Sequence, residues 1–167
     1  VGNVADINLM LTSMLRHAGL KANPVLISTR SNGIPIVPTR SGFNYVVSAV
    51  EINSEIVLLD ASQKHTDYHM ISTNALNWLG RLIRKDGTSD WIGLTPNFSS
   101  KETVFINYNI NPDLTAIGKV RNQYTNYQAV NYRNKYDNFS LDQIVTALEK
   151  GKGEIEISNY GIDNRTD

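Results

Sequence analysis

The sequence contains no cysteine, and that absence removes several functions at once. Without a thiol there is no disulfide, no thiolate metal site and no cysteine nucleophile. The charges are balanced, with 16 Lys and Arg against 16 Asp and Glu, so no net field attracts nucleic acid or anionic lipid. The apolar runs are far shorter than the roughly 20 residues that cross a bilayer. These absences predict no nucleic-acid partner and no transmembrane segment in this chain.

What is present is enough for a folded core. The chain has 167 residues, of which 41% are hydrophobic, a size that fits one domain or two small ones. It begins at Val1 without a Met and without a charged-then-apolar leader, which predicts a processed or truncated piece.

The first half of the chain reads as a helix followed by strands. The pattern predicts a helix over residues 4–18, ended by Gly19, and a buried strand over residues 22–29. Two further strands, residues 43–52 and 55–62, form a predicted hairpin, and a second hairpin turns at Asp86 and Gly87. The helix should bury one apolar side, which has a 3.6-residue repeat and comprises Ile7, Met10, Leu11, Met14, Leu15 and Ala18.

The register of the first hairpin brings two polar side chains together. If Asn53 and Ser54 form a two-residue turn, residues whose numbers sum to 107 lie opposite one another, and Asp60 faces Val47. Tyr45 then lies diagonally from Asp60 on the same face of the sheet, within reach of a long side chain. In a catalytic triad, an acid orients a base, and the base activates a nucleophile. An acid near a polar aromatic residue, under a helix with a Gly-rich start, has the positions that such a triad needs.

A second domain is predicted after the polar segment 95–102. Residues 103–110 and 112–125 read as strands, and Ser140 with Gln143 forms a capping box that begins a helix. Residues 128–138 could form a short helix, and residues 154–158 read as a closing strand. We therefore expect an α+β protein, with a helix packed on an antiparallel sheet over residues 1–98 and a small, mainly β domain with one helix over residues 99–167.

Four stretches together resemble a known enzyme family. The stretches are GNVAD at residues 2–6, HAGLKANPVLIST at 17–29, FNYVVSAVEI at 43–52 and LLDAS at 58–62. They resemble the transglutaminase-like core of the papain-like superfamily, as found in large secreted proteins of the Bacteroides type. The resemblance implies a partial transglutaminase-like, or cysteine-proteinase, fold. It also implies a C-terminal domain of unknown function, an upstream β domain of the same parent chain as partner, and a periplasmic or extracellular location.

Carried over position by position, the family's catalytic residues are mostly missing. The family's cysteine falls on Val4, its histidine on Tyr45 and its aspartate on Asp60. Valine has no proton to lose, and a phenol with a pKa near 10 is a poor base at neutral pH. The expectation is a non-catalytic module that acts in structure, or in binding a peptide or glycan, without a cofactor. The alternative is a residual hydrolase or acyltransferase that uses the degenerate groove.

Candidate binding residues are Asp6, Tyr45 and Asp60. Asp6 is favoured by the helix dipole and could hold a loop through Arg30 or Arg40. Asp60 could instead accept hydrogen bonds from Tyr45 or from backbone N–H groups.

Other candidates have plainer explanations. His65 and His69 have a spacing that suits zinc, but the stretch HTDYH reads as a surface loop, so no metal site is expected. The region of Trp78 and Trp91 could contact a ligand. A row of tyrosines offers either a stacking surface or a contact between the domains: Tyr124, Tyr127, Tyr132 and Tyr136.

Overall fold

A computed structural model describes residues 2–37, 39 and 41–165. The chain divides into two compact units, residues 1–98 and residues 99–167. The protein is of mixed α/β type.

The first unit begins with helix α1, Val4–His17. Asn3 and Asp6 form a reciprocal capping box, in which each side chain accepts a hydrogen bond from the other residue's backbone N–H, at 3.0 and 2.9 Å. A Cβ on Gly2 would lie 2.7 Å from the Cβ of Asp6, so only glycine fits there. Helix capping therefore accounts for three residues of the GNVAD stretch without any catalytic role.

Five antiparallel strands form one sheet in the order β3-β2-β1-β4-β5. The strands are β1 Ala22–Ile27, β2 Tyr45–Ile52, β3 Glu55–Leu59, β4 Leu79–Ile83 and β5 Ser89–Gly93.

The turn between β2 and β3 fixes the register that matters for the site. Asn53 and Ser54 have φ of 50° and 68°, the left-handed conformation at both central residues that a tight hairpin needs. Ser48 pairs with Leu59, which confirms the predicted register.

The core of this unit lies on the central strands. Buried side chains of β1, β2 and β4 form it together with residues from the segment before β4 and with the residue after β5. The cluster comprises Val25, Ile27, Val47, Ala49, Ile71, Ala75, Leu82 and Leu94. Burial of these aliphatic side chains supplies the main favourable term for folding. Tyr45, at the start of β2, packs against this cluster.

The predicted buried face of α1 is confirmed only in part, since Ile7, Leu11 and Leu15 are half-buried. Met10 and Met14 are 63% and 62% exposed, whereas Asn8 and Thr12 are 0% and 3% exposed. Asn8 and Thr12 can be buried against the sheet because each finds hydrogen-bond partners there, which offsets the cost of removing it from water.

The second unit contains one hairpin and two helices. Strands β6, Glu102–Ile110, and β7, Ala116–Tyr124, pair along their full length. They precede α2, Tyr127–Tyr136, and α3, Leu141–Glu149. The predicted capping box of Ser140 and Gln143 is present at the start of α3.

This unit therefore has a second helix, α2, where the sequence offered only a possible short helix over residues 128–138, so the description as mainly β with one helix needs correction. Helix α2 has a weak apolar pattern but is held by aromatic packing, since Tyr132 stacks on Tyr124 of β7 with ring centroids 5.1 Å apart. Residues 154–158 form no strand. There the Glu149 carboxylate accepts the N–H of Ile157 at 2.7 Å, in place of a strand partner.

Among the helices of the described residues, none combines the length and the hydropathy needed to cross a membrane.

Candidate functional site

The candidate site lies at one end of the five-stranded sheet. Tyr45 is the first residue of β2 and Asp60 directly follows β3, so the antiparallel register places them at the same end. A short turn joins α1 to β1, which brings the N-terminal end of α1 to this end as well. Val4 lies one turn before Asn8 on α1, and Asn8 contacts Asp60. The three positions that the resemblance selects thus belong to one end of the unit.

Asp60 is the centre of this site and is only 7% exposed. Its Oδ1 accepts hydrogen bonds from Asn8 Nδ2 at 3.0 Å and from both the N–H and the hydroxyl of Ser62, at 3.1 and 2.6 Å. Its Oδ2 accepts from the Tyr45 hydroxyl at 2.8 Å and from the Ser72 N–H at 3.1 Å. A carboxylate has about four lone-pair sites, so five donors leave it no free position for a substrate proton.

Tyr45 is committed to the same network. Besides its bond to Asp60, its hydroxyl oxygen lies 2.9 Å from Ser62 Oγ and accepts from Gln63 Nε2 at 3.2 Å. Burial is the largest cause that raises the pKa of the Tyr45 phenol above its ordinary value of 10, and the Asp60 charge raises it further, while the contact with Ser62 and the hydrogen bond from Gln63 act in the opposite direction. Tyr45 is therefore a neutral hydrogen-bond donor at neutral pH and cannot serve as a general base.

Asn8 links the helix to the sheet and to the loop after β3. Its Nδ2 donates to the carbonyl of Val46 at 3.0 Å as well as to Asp60, and its Oδ1 accepts the N–H of Ala61 at 2.9 Å. The amide has two N–H donors and two oxygen lone pairs, and these three hydrogen bonds use all of them except one lone pair. One side chain thus joins α1, β2 and the loop that follows β3.

A second polar contact lies one turn further along α1. Thr12 Oγ1 and Ser48 Oγ lie 2.6 Å apart, and both hydroxyls also approach the carbonyl of Asn8, at 2.9 and 2.8 Å. Ser48 is 0% exposed. No buried side-chain polar atom in the described part of the chain lacks a hydrogen-bond partner. The hydrogen bonds of these hydroxyls therefore offset the cost of burying them.

The other sequence-predicted residues lie in plainer surroundings. Asp6 bonds within its own helical turn, and Arg30 donates through Nε to the carbonyl of Leu76 at 3.0 Å. Arg40 lies outside the described residues. No group of three or more His, Asp or Glu side chains in the described ranges is placed to hold a metal ion. His69 packs against the rings of Tyr68 and Phe98, with centroids 3.7 and 6.1 Å away.

The two tryptophans differ in their surroundings. Trp91 is partly buried, with Phe43 6.1 Å from its ring and the Arg81 guanidinium 5.1 Å away. Trp78 is 61% exposed with φ of 61°, a conformation that bulky residues rarely adopt. The preceding Asn77 side chain fixes this backbone by donating to the carbonyls of Ser28 and Gly33, at 3.0 and 2.9 Å.

Sequence reasoning missed Asn8, Ser62 and Ser72. The spacing offered one signal, since Asn8 lies four residues after Val4 and so shares its face of the helix. Nothing local marked Ser72, which contributes a backbone N–H from a loop twelve residues beyond Asp60. Comparison with protein-family models, with curated proteins and with solved structures finds no match.

The raised pKa of Tyr45 predicts a pH dependence of stability. A group whose pKa is higher in the folded state contributes stability that is complete below its unfolded pKa, here about 10, and is lost as the pH rises through the folded value. We expect the first unit to lose stability above about pH 10, and the loss to be smaller in Tyr45→Phe. Urea unfolding followed by tryptophan fluorescence reports this unit alone, because Trp78 and Trp91 both lie in it. Equal slopes above pH 10 in the two proteins would contradict the assignment.

Proposed function

We propose that the first unit is a non-catalytic transglutaminase-like module, which serves as a structural or binding element in a larger secreted bacterial protein. The observation that carries this proposal is the state of Asp60, whose two oxygens accept five hydrogen bonds from the protein itself. A carboxylate that orients a catalytic histidine needs an imidazole N–H at this position. Here a phenol occupies it.

The chemistry of the remaining positions supports the same proposal. At the start of α1 the dipole and the unpaired N–H groups would lower the pKa of a thiol, but Val4 has only an alkyl group. Asp60 instead joins α1, β2 and the loops around Ser62 and Ser72 through its hydrogen bonds. The group that would be catalytic in an enzyme acts here as a structural clamp.

The alternative of a residual hydrolase would need a hydroxyl nucleophile in this network. Ser62 is the closest candidate, since its hydroxyl lies 2.6 Å from Asp60 Oδ1. The hydrogen bonds of the Ser62 hydroxyl run to Asp60, Tyr45 and Gln63, none of which is an imidazole, and Asp60 keeps four other donors, so it has no free acceptor position to take the serine proton. Binding rather than turnover is the better second reading, with the exposed and conformationally fixed Trp78 as its strongest contact.

The family relationship is tested by restoring the missing residues. Because the chain has no cysteine, Val4→Cys introduces a single thiol whose alkylation rate can be followed against pH. We expect the thiol pKa to fall below its usual value of about 8.5, and to fall further in Val4→Cys with Tyr45→His, where an imidazolium can pair with the thiolate.

Ser13→Cys is the matched control, since it places a thiol on the exposed side of the same helix, far from its N-terminal turn. A double variant whose thiol titrates like that control would contradict the transglutaminase-like framework. Hydrolysis or transfer of an acyl donor by the unmodified protein would contradict the absence of catalysis. The two failures are separate, because the first concerns geometry and the second concerns activity.

A further inference from the structure

The β6–β7 ribbon carries an apolar face that is exposed over most of its length, and its own unit covers the end at Tyr124, where Tyr132 of α2 stacks. Alternate residues of a strand share one face, and directly paired residues lie on the same side. By this rule one face, here called the apolar face of the ribbon, carries five large side chains that are 48–66% exposed: Val104, Ile106, Tyr108, Ile110 and Val120. The only formal charge on this face is Glu102, at its first pair.

The opposite face of the same ribbon is different in character. It carries Lys119 and Arg121 next to several asparagine and glutamine side chains, with Phe105 and Ile117 as its large apolar residues. The ribbon is thus amphipathic, as a strand pair with one covered side should be. A two-stranded ribbon alone is marginally stable in water and needs a further layer on its apolar side.

The shape of the apolar face fits a second copy of itself. The large residues of β6 form a ridge, while their partners along β7 are small at two successive positions, since Tyr108 pairs with Gly118 and Ile110 pairs with Ala116. A Cβ on Gly118 would lie 2.4 Å from the carbonyl oxygen of Asn107, so this shallow strip is built into the ribbon. A two-fold axis parallel to the strands would lay the ridge of one copy over the shallow strip of the other.

The charge and the area of the face are also compatible with such a pairing. A nearly uncharged face meets its own copy without repulsion, which an isologous interface requires. At roughly 100 Å² for each of the five half-exposed side chains, two copies would bury about 1,000 Å², the lower size limit of specific interfaces.

We propose that this chain forms a homodimer in which the apolar faces of two β6–β7 ribbons pack against each other. The two ribbons then form the layers of a small sandwich, with about 10 Å between them. Lys119 and Arg121 remain on the outside, in water.

Sedimentation velocity of the full chain at several concentrations tests the proposal. We expect a concentration-dependent shift from the 18.7 kDa monomer to twice that mass. Ile106→Lys places a charge in the middle of the apolar face and should weaken dimerisation at least about tenfold. Ile117→Lys is the matched control, because it lies on the opposite face of the same ribbon with similar exposure, 71% against 64%, and should leave the dimer intact.

A second variant guards against loss of folding as the cause. Val120→Lys lies on the same apolar face but on the other strand, and should behave like Ile106→Lys while the far-UV circular dichroism spectrum stays unchanged. A chain that remains monomeric at all concentrations would overturn the proposal. Equal weakening by Ile106→Lys and Ile117→Lys would overturn it too, since the dimer would then depend on another surface.

Discussion

Replacing Asp60 with alanine is expected to lower the free energy of unfolding of the first unit by about 3–5 kcal/mol. The substitution removes the acceptor of five hydrogen bonds in a site that is 7% exposed. It leaves Asn8 Nδ2, the Tyr45 hydroxyl and backbone N–H groups without their partner, and each unsatisfied buried donor costs about 1–3 kcal/mol unless water reaches it. Small domains have total stabilities of only about 5–15 kcal/mol, so this is a large fraction.

Two further variants separate hydrogen bonding from other causes. Asp60→Asn keeps the size of the side chain but turns an N–H₂ group toward donors, and should still cost about 2 kcal/mol. Asp90→Ala removes an exposed carboxylate that pairs with Arg84 at the surface, and should cost at most about 1 kcal/mol. Urea unfolding followed by tryptophan fluorescence measures all three. An Asp60→Ala variant as stable as Asp90→Ala would contradict the claim that the hydrogen bonds of Asp60 stabilise this unit.

Replacing Asn8 with alanine should cost about 2–4 kcal/mol, a large effect for a polar residue in a helix. The side chain is fully buried and makes three hydrogen bonds, to Asp60, to the carbonyl of Val46 and to the N–H of Ala61. Its loss removes the hydrogen bonds that join the start of α1 to β2 and to the loop after β3, while the contact between Thr12 and Ser48 remains. Alanine is the best helix former, so propensity alone would favour the variant and cannot explain a loss.

The matched controls for Asn8 lie on the other side of the same helix. Met10→Ala and Met14→Ala remove larger apolar side chains, but both are exposed, and each should change the stability by no more than about 0.5 kcal/mol. The same urea titration compares the three proteins. If either methionine variant loses more stability than Asn8→Ala, α1 presents its other face to the sheet.

The contrast between Asn8 and Met10 shows where the sequence was informative. The position of α1 and the register of the β2–β3 hairpin were predictable, because capping residues and a two-residue turn act on near neighbours. The burial of Asn8 and Thr12 on α1 was not. Its polar residues are stabilised by partners 36 to 53 positions away, which a helical period does not reveal.

The candidate site was predictable in part for the same reason. The pairing rule brought Tyr45 near Asp60, and the structure has them hydrogen-bonded. Ser72 could not be found, since its contribution is a backbone N–H that only the folded loop aims at Asp60. In the second unit, α2 was no more than a possible short helix from the sequence, because it has little apolar periodicity and depends on the stacking of Tyr132 on Tyr124.

The central claim is that Asp60 and Asn8 act as one clamp, and a double-mutant cycle between them measures that coupling most directly. Urea unfolding of Asn8→Ala, Asp60→Ala and the double variant gives the three changes in unfolding free energy that the cycle needs. We predict that the double variant loses about 1–3 kcal/mol less than the two single losses combined. Strictly additive losses would mean that the two residues stabilise the unit independently, and the clamp would not exist.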